Sequence, residues 1–211
     1  MRRALAGLAV ATFTLLALAG PASAAPARVT HFRVSGTVAD ALWITSSATS
    51  STFTSVDVST STQESALVVD QVTENHDASG NLTGGTETFA FVTSGFSFTL
   101  QQPLASASLS GSGLPATTCT FDANFNTIGC SATTIDVSVT WTGQGAITRG
   151  WFNEHFKNDG FSQIDHFYGT NRHAVATGTV GGLTLSVSEL QFADLGTVKA
   201  GTVTICVGGS C

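Results

Sequence analysis

From Val29 onward, apolar and polar residues alternate in short runs, the period-two pattern of strands that bury one face. The clearest run sets Ile135, Val137, Val139 and Trp141 against Asp136, Ser138 and Thr140. Further strands are predicted at Val29 to Val38, Phe53 to Thr62, Ala66 to Glu74, Thr86 to Thr93, Arg172 to Val180, Leu183 to Phe192 and Val198 to Val207. Turn residues fall between them. Ser79-Gly80-Asn81 separates two runs, and Gly181-Gly182 predicts a tight hairpin. Phe89 and Phe91 share one parity, whereas Phe96, Phe98 and Leu100 share the other, so a glycine bulge at Ser94-Gly95 is expected to reset the register. Residues 44–52, poor in complexity, read as a surface loop or an edge strand. No helical period follows the N-terminal segment. Ten to eleven strands with short turns predict an all-β chain, a single-domain antiparallel β-sandwich or barrel.

The first 24 residues differ. Arg2 and Arg3 precede an apolar stretch from Ala4 to Ala19, Pro21 follows, and Ala22-Ser23-Ala24 forms a small-x-small cleavage site. This is the layout of a secretory signal peptide, and the stretch is short for a bilayer span. Residues 25–211 are then expected as one secreted domain, extracellular and free of the membrane once the signal is removed. The alanine-rich signal and the composition resemble those of exported proteins from high-GC Gram-positive bacteria.

Charge narrows the partners. Eight bases face fourteen acids, a formal charge of −6, and loss of Arg2 and Arg3 with the signal takes it to −8. Nucleic acid is excluded as a partner, because it requires clustered Lys and Arg. No cofactor motif, phosphate loop, metal-ligand spacing or nucleophile motif is present, so no cofactor and no metal are expected.

Four cysteines in an exported chain predict disulfides. A hairpin turning at Asn124-Phe125 sets Cys119 opposite Cys130, and Phe121 opposite Ile128, at a separation a disulfide spans. The remaining pair, Cys206 and Cys211, encloses a short turn at the C-terminal end.

Residues 149–173 hold most of the candidate chemistry. Three of the five histidines, six charged residues and six aromatic rings fall there. Asp159-Gly160 is a hairpin signal, and a turn there pairs Trp151 with Tyr168, Phe152 with Phe167, Gly150 with Gly169 and Asn153 with His166. Aromatic cross-strand pairs favour that register. One face of the hairpin then carries Arg149, Trp151, Asn153, His155, His166 and Tyr168, with Lys157. Flat rings beside hydrogen-bonding groups suit a small polar ligand or a glycan, and an extracellular protein is the third partner such a surface fits. The competing reading packs Trp151 and Tyr168 into the core or a barrel lumen. The register also sets Glu154 directly opposite Asp165, with His166 adjacent, the composition of a glycosidase-like acid/base pair. The primary expectation is a non-catalytic binding or structural β module. The alternative is a hydrolase using Glu154, Asp165 and His166.

Overall fold

The computed structural model describes residues 28–62, 64–158 and 161–207, with side chains undescribed at 28–34, 151–165, 167, 200–203 and 205–207. The proposed signal peptide, the turn at Asp159-Gly160 and the partner cysteine Cys211 lie outside the described residues. Eleven strands follow one another: β1 (Arg28–Ser46), β2 (Ser50–Ser61), β3 (Ser65–His76), β4 (Leu82–Val92), β5 (Phe96–Gln101), β6 (Ser106–Asp122), β7 (Thr127–Gly143), β8 (Thr148–Asn158), β9 (Phe161–Val180), β10 (Leu183–Leu185) and β11 (Leu190–Val207). All belong to one antiparallel sheet, as the alternation predicts.

The sheet closes on itself. β1 to β4 are sequential neighbours, β4 pairs β6, β6 pairs β7, β7 pairs β9, β9 pairs β11, and β11 returns to β1. This is a ring of eight strands. Inward positions fill its lumen. Ile135, Val137, Val139 and Trp141 are all buried, as their alternation predicts, and meet Val56, Val58, Leu67, Val69 and Leu195. An eight-stranded barrel has an interior just wide enough for side chains to fill it. Two tryptophans tie its walls together. The Trp141 indole on β7 donates to the Asp40 carbonyl on β1 at 2.9 Å, and the Trp43 indole on β1 donates to the Ala176 carbonyl on β9 at 3.3 Å.

The closed ring is shorter than its longest strands. β7 pairs with β9 only from Val137↔Val180 to Gly143↔Ala174. Four residues later the chain resumes as β8 along the same edge of β9, from Thr148↔Asn171 to Asn158↔Phe161. β8, the first half of β9, the second half of β11 and the start of β1 therefore continue beyond the barrel as a four-stranded apron. The hairpin register expected for this segment is the one observed, with Trp151↔Tyr168, Phe152↔Phe167 and Glu154↔Asp165.

At the other end, the β6–β7 hairpin projects, stapled by the Cys119–Cys130 disulfide in the expected pairing. Asp122 closes its turn by accepting from the Asn124 and Asn126 amides. The Asp77 carboxylate does the same with Ser79 and Asn81 at the β3–β4 turn.

Several local expectations change. Phe121 pairs with Thr127, not Ile128, because a bulge intervenes; Phe121 is buried while Ile128 is 70% exposed. No parity reset occurs at Ser94-Gly95. β4 and β5 lie end to end along β6, Ala90 and Val92 are buried, and Phe96, Phe98 and Leu100 pack on the core with the same even parity. Phe89 and Phe91 are left on the outer face, about half exposed. Residues 44–52 are neither loop throughout nor edge strand. They hold a tight turn at 47–49 between β1 and β2, where the Ser47 hydroxyl accepts from the Ser50 amide. The runs at Leu183 to Phe192 and Val198 to Val207 divide at a different place from the one expected. A turn at 186–189 ends β10, and β11 then runs unbroken from Leu190.

Removing Trp141 deletes a filled volume and orphans a buried carbonyl. Trp141→Ala should lower stability by about 3–5 kcal/mol. Cys130→Ser, which opens a loop of eleven residues' separation, should cost about 2–3 kcal/mol. Urea unfolding of both variants checks this; equal, small losses would contradict the assignment of the lumen as the main core.

Candidate functional site

The β2–β3, β5–β6 and β7–β8 connections gather at the end of the barrel from which the apron extends. A cavity of about 690 Å³ opens there. That is within the usual size range for small-molecule sites. Its floor is the β5–β6 turn, where Leu104 belongs both to the packed core and to the cavity lining. Arg172 fixes the floor from below. Its guanidinium donates to the Gly145 carbonyl at 3.1 Å and to the Leu104 carbonyl at 3.3 Å.

The wall is a single row of side chains across five strands. Arg149 on β8 pairs with Thr170 on β9. Thr170 pairs with Thr197 on β11, Thr197 with Thr37 on β1, and Thr37 with Thr60 on β2. All five line the cavity. The threonines are hydrogen-bonded in twos, Thr170 to Thr197 at 2.6 Å and Thr37 to Thr60 at 2.7 Å. Within each pair one hydroxyl donates to the other, so one proton per pair is left over for a ligand. Glycine lets these strands approach so closely. A Cβ on Gly36 would collide with the Thr60 carbonyl oxygen, and a Cβ on Gly169 with that of Thr197.

Lys199 completes the lining from a β-bulge. Val198 pairs with Gly169 and Ala200 with Tyr168, which leaves Lys199 as the extra residue of β11. Bulges commonly re-aim one side chain in this way.

Of the residues singled out from the sequence, Arg149 lies in the cavity wall and is exposed. Tyr168, half-buried, and His166, exposed, follow Thr170 at alternate positions along β9. Trp151, Asn153 and His155 stand opposite Tyr168, His166 and Ile164 in register, and Glu154 stands opposite Asp165; their side chains lie outside the described residues. Thr37, Thr60, Thr170, Thr197 and Lys199 were not foreseen. Each is one hydroxyl or amine among many on strands, and only the registers of five strands together reveal the row.

A second row lies on the outer wall. His173, Asp194, Asp40 and Asp57 are directly opposed across β9, β11, β1 and β2. His173 Nδ1 lies 2.7 Å from an Asp194 carboxylate oxygen. Burial pushes the Asp40 carboxyl up to about 8, with the Asp194 and Asp57 charges adding to it. Burial, and then Asp70, pushes Asp57 up to about 6. Burial also raises Asp194, while His173 pulls it back. Among the described residues, no group of three or more His, Cys, Asp or Glu is arranged to hold a metal ion.

Because these folded-state values lie above the ordinary 3.8, the folded chain binds protons more tightly than the unfolded chain. The contribution of Asp40 and Asp57 to stability is therefore most favourable below about pH 4, falls as pH rises, and bears the full cost of the Asp40 charge above about 8. Asp40→Asn should leave melting at pH 4 unchanged and raise stability at pH 9 by roughly 2 kcal/mol or more. Melting curves of the two proteins that run parallel from pH 4 to 9 would contradict this.

No family model matches the chain, and no significant similarity to a curated protein or to a solved structure is found.

Proposed function

We propose that the chain is an exported, non-catalytic binding module that takes a small polar ligand at the barrel mouth. The observation that carries this reading is the five-strand row of Arg149, Thr170, Thr197, Thr37 and Thr60 lining one cavity. Hydroxyls and a guanidinium concentrated in one concave site offer directed hydrogen bonds to a polar ligand. The apron continues the wall along β8 and β9, where Tyr168 and His166 follow on from the row and the register position of Trp151 is opposite Tyr168. A ring stacked there would have its polar groups within the reach of the mouth.

Export is supported by the signal-like N-terminus and by the Cys119–Cys130 disulfide. No helix among the described residues is long and apolar enough to cross a membrane. An extracellular, bacterial setting fits these features.

Ligand-observed NMR against a panel of monosaccharides, polyols, sugar acids and sugar phosphates tests the reading. At least one class should show saturable binding that Thr197→Val weakens about tenfold while the melting temperature stays within a few degrees. Absence of saturable binding across the panel would reject the mouth as a ligand site.

A hydrolase is the second reading, favoured by one observation: the backbone register sets Glu154 directly opposite Asp165 on the apron. Glycosidase carboxyls generally lie about 5–9.5 Å apart. A glycoside-hydrolase activity abolished by Glu154→Gln would support it, and wild-type inactivity on a broad glycoside panel would remove it.

A further inference from the structure

We infer that the ligand of the barrel mouth is an anion, a small molecule bearing a carboxylate, phosphate or sulfate held between Arg149 and Lys199. The inference rests on the reading of the mouth as a binding site and adds the ligand's chemical class. It starts from where the charge lies. The chain has fourteen acids and only eight bases, yet among the described residues the cavity lining holds Arg149 and Lys199 and no carboxylate. Neither cation pairs with an acid among the described residues.

The placement extends beyond those two residues. The six bases after residue 27 are Arg28 and Arg33 on β1, Arg149 and Lys157 on β8, Arg172 on β9 and Lys199 on β11. These are the four strands that form the mouth's apron side. Acids on the apron strands beyond the mouth are Glu154 and Asp165, set opposite each other. The remaining acids of the described strands and turns lie on the barrel, its outer wall and its connections. In a chain whose overall field repels anions, bases placed along the apron strands, with Arg149 and Lys199 in the cavity lining, make the field on this side locally of the opposite sign.

Hydrogen-bonding capacity points the same way. Guanidinium and ammonium groups donate and cannot accept, and each threonine pair has one hydroxyl proton left to give. Arg172 is already committed to two backbone carbonyls. The two cations can only donate, while the threonine hydroxyls can both donate and accept, so it is Arg149 and Lys199 that favour an oxyanion with several acceptor oxygens over a neutral polyol. Arg149 offers a planar fork suited to a carboxylate or phosphate, and Lys199 a compact point charge. A bound anion would meet both cations of the lining at once.

Isothermal titration of the full mature chain with inorganic phosphate, glucuronate and glucose distinguishes the cases. Phosphate or glucuronate should bind at least tenfold more tightly than glucose, and raising NaCl from 50 to 500 mM should weaken binding severalfold. Arg149→Ala with Lys199→Ala should lose at least tenfold in affinity at an unchanged melting temperature, and Arg149→Lys should retain part of it. Glucose binding as tightly as glucuronate would overturn the anion assignment while leaving the mouth as a binding site. Anion binding undiminished in the double variant would overturn the assignment to this cavity. If none of the three probes binds at millimolar concentration, the anion assignment falls, and the sugar, polyol and sugar-phosphate panel decides separately whether the mouth binds anything.

Discussion

The hydrogen-bonded seam between β7 and β9 governs what this molecule can present. Seven residues of β7, from Val137 to Gly143, meet 174–180 of β9 and turn an open sheet into a ring. Closure removes both free edges from that length of the sheet and seals one face away from water. The sealed face can then be filled by Trp43 and Trp141, whose ring nitrogens find carbonyl partners on other walls. An unclosed sheet of the same sequence would leave those indoles half wet and the threonine row spread along a flat surface. The cavity is thus a by-product of closure: the core is packed up to Leu104, and the mouth opens beyond it.

The seam is also short, and its length positions the site. β9 is long enough to take β7 as partner in its second half and β8 in its first. Where it changes partner, the chain loops out at 144–147, Arg172 ties that loop to the floor, and the wall continues outward as the apron. The mouth is lined on one side by residues belonging to four strands at their crossing from barrel to apron. That arrangement concentrates bases from β8 and β11 on a site whose outer surroundings, including the Asp40 row, are acidic. Along the threonine row the strands approach most closely at Gly36 and Gly169, where only hydrogen fits.

Local signals in the chain were strong where pairing partners are close in sequence. The Cys119–Cys130 rung, the Gly181-Gly182 hairpin and the Trp151↔Tyr168 register each follow from a turn and a handful of residues on either side. The Ile135–Trp141 alternation also translates directly into a buried face. The parity of Phe89 and Phe91 does not mark the inward face, because the smaller Ala90 and Val92 fill the lumen and the rings remain outside. The threonine row was illegible for a different reason. Thr37 meets Thr197 and Thr170 meets Thr197 only through pairings across long stretches of chain. No local spacing distinguishes these from the many other hydroxyls, which make up about a quarter of the residues. The bulge at Lys199 is likewise invisible until β9 and β11 are aligned.

Amide hydrogen exchange across β7 tests closure most directly, because the strand carries its own control. Residues 127–134 have β6 as a partner on one side only, whereas 137–143 have β6 or β9 on both. The account predicts that exchange alternates fast and slow along the first stretch and is uniformly slow along the second, with protection there matching that of global unfolding. Alternating fast exchange continuing through Gly143 would mean that β7 is a free edge, that the sheet is open, and that no enclosed mouth exists.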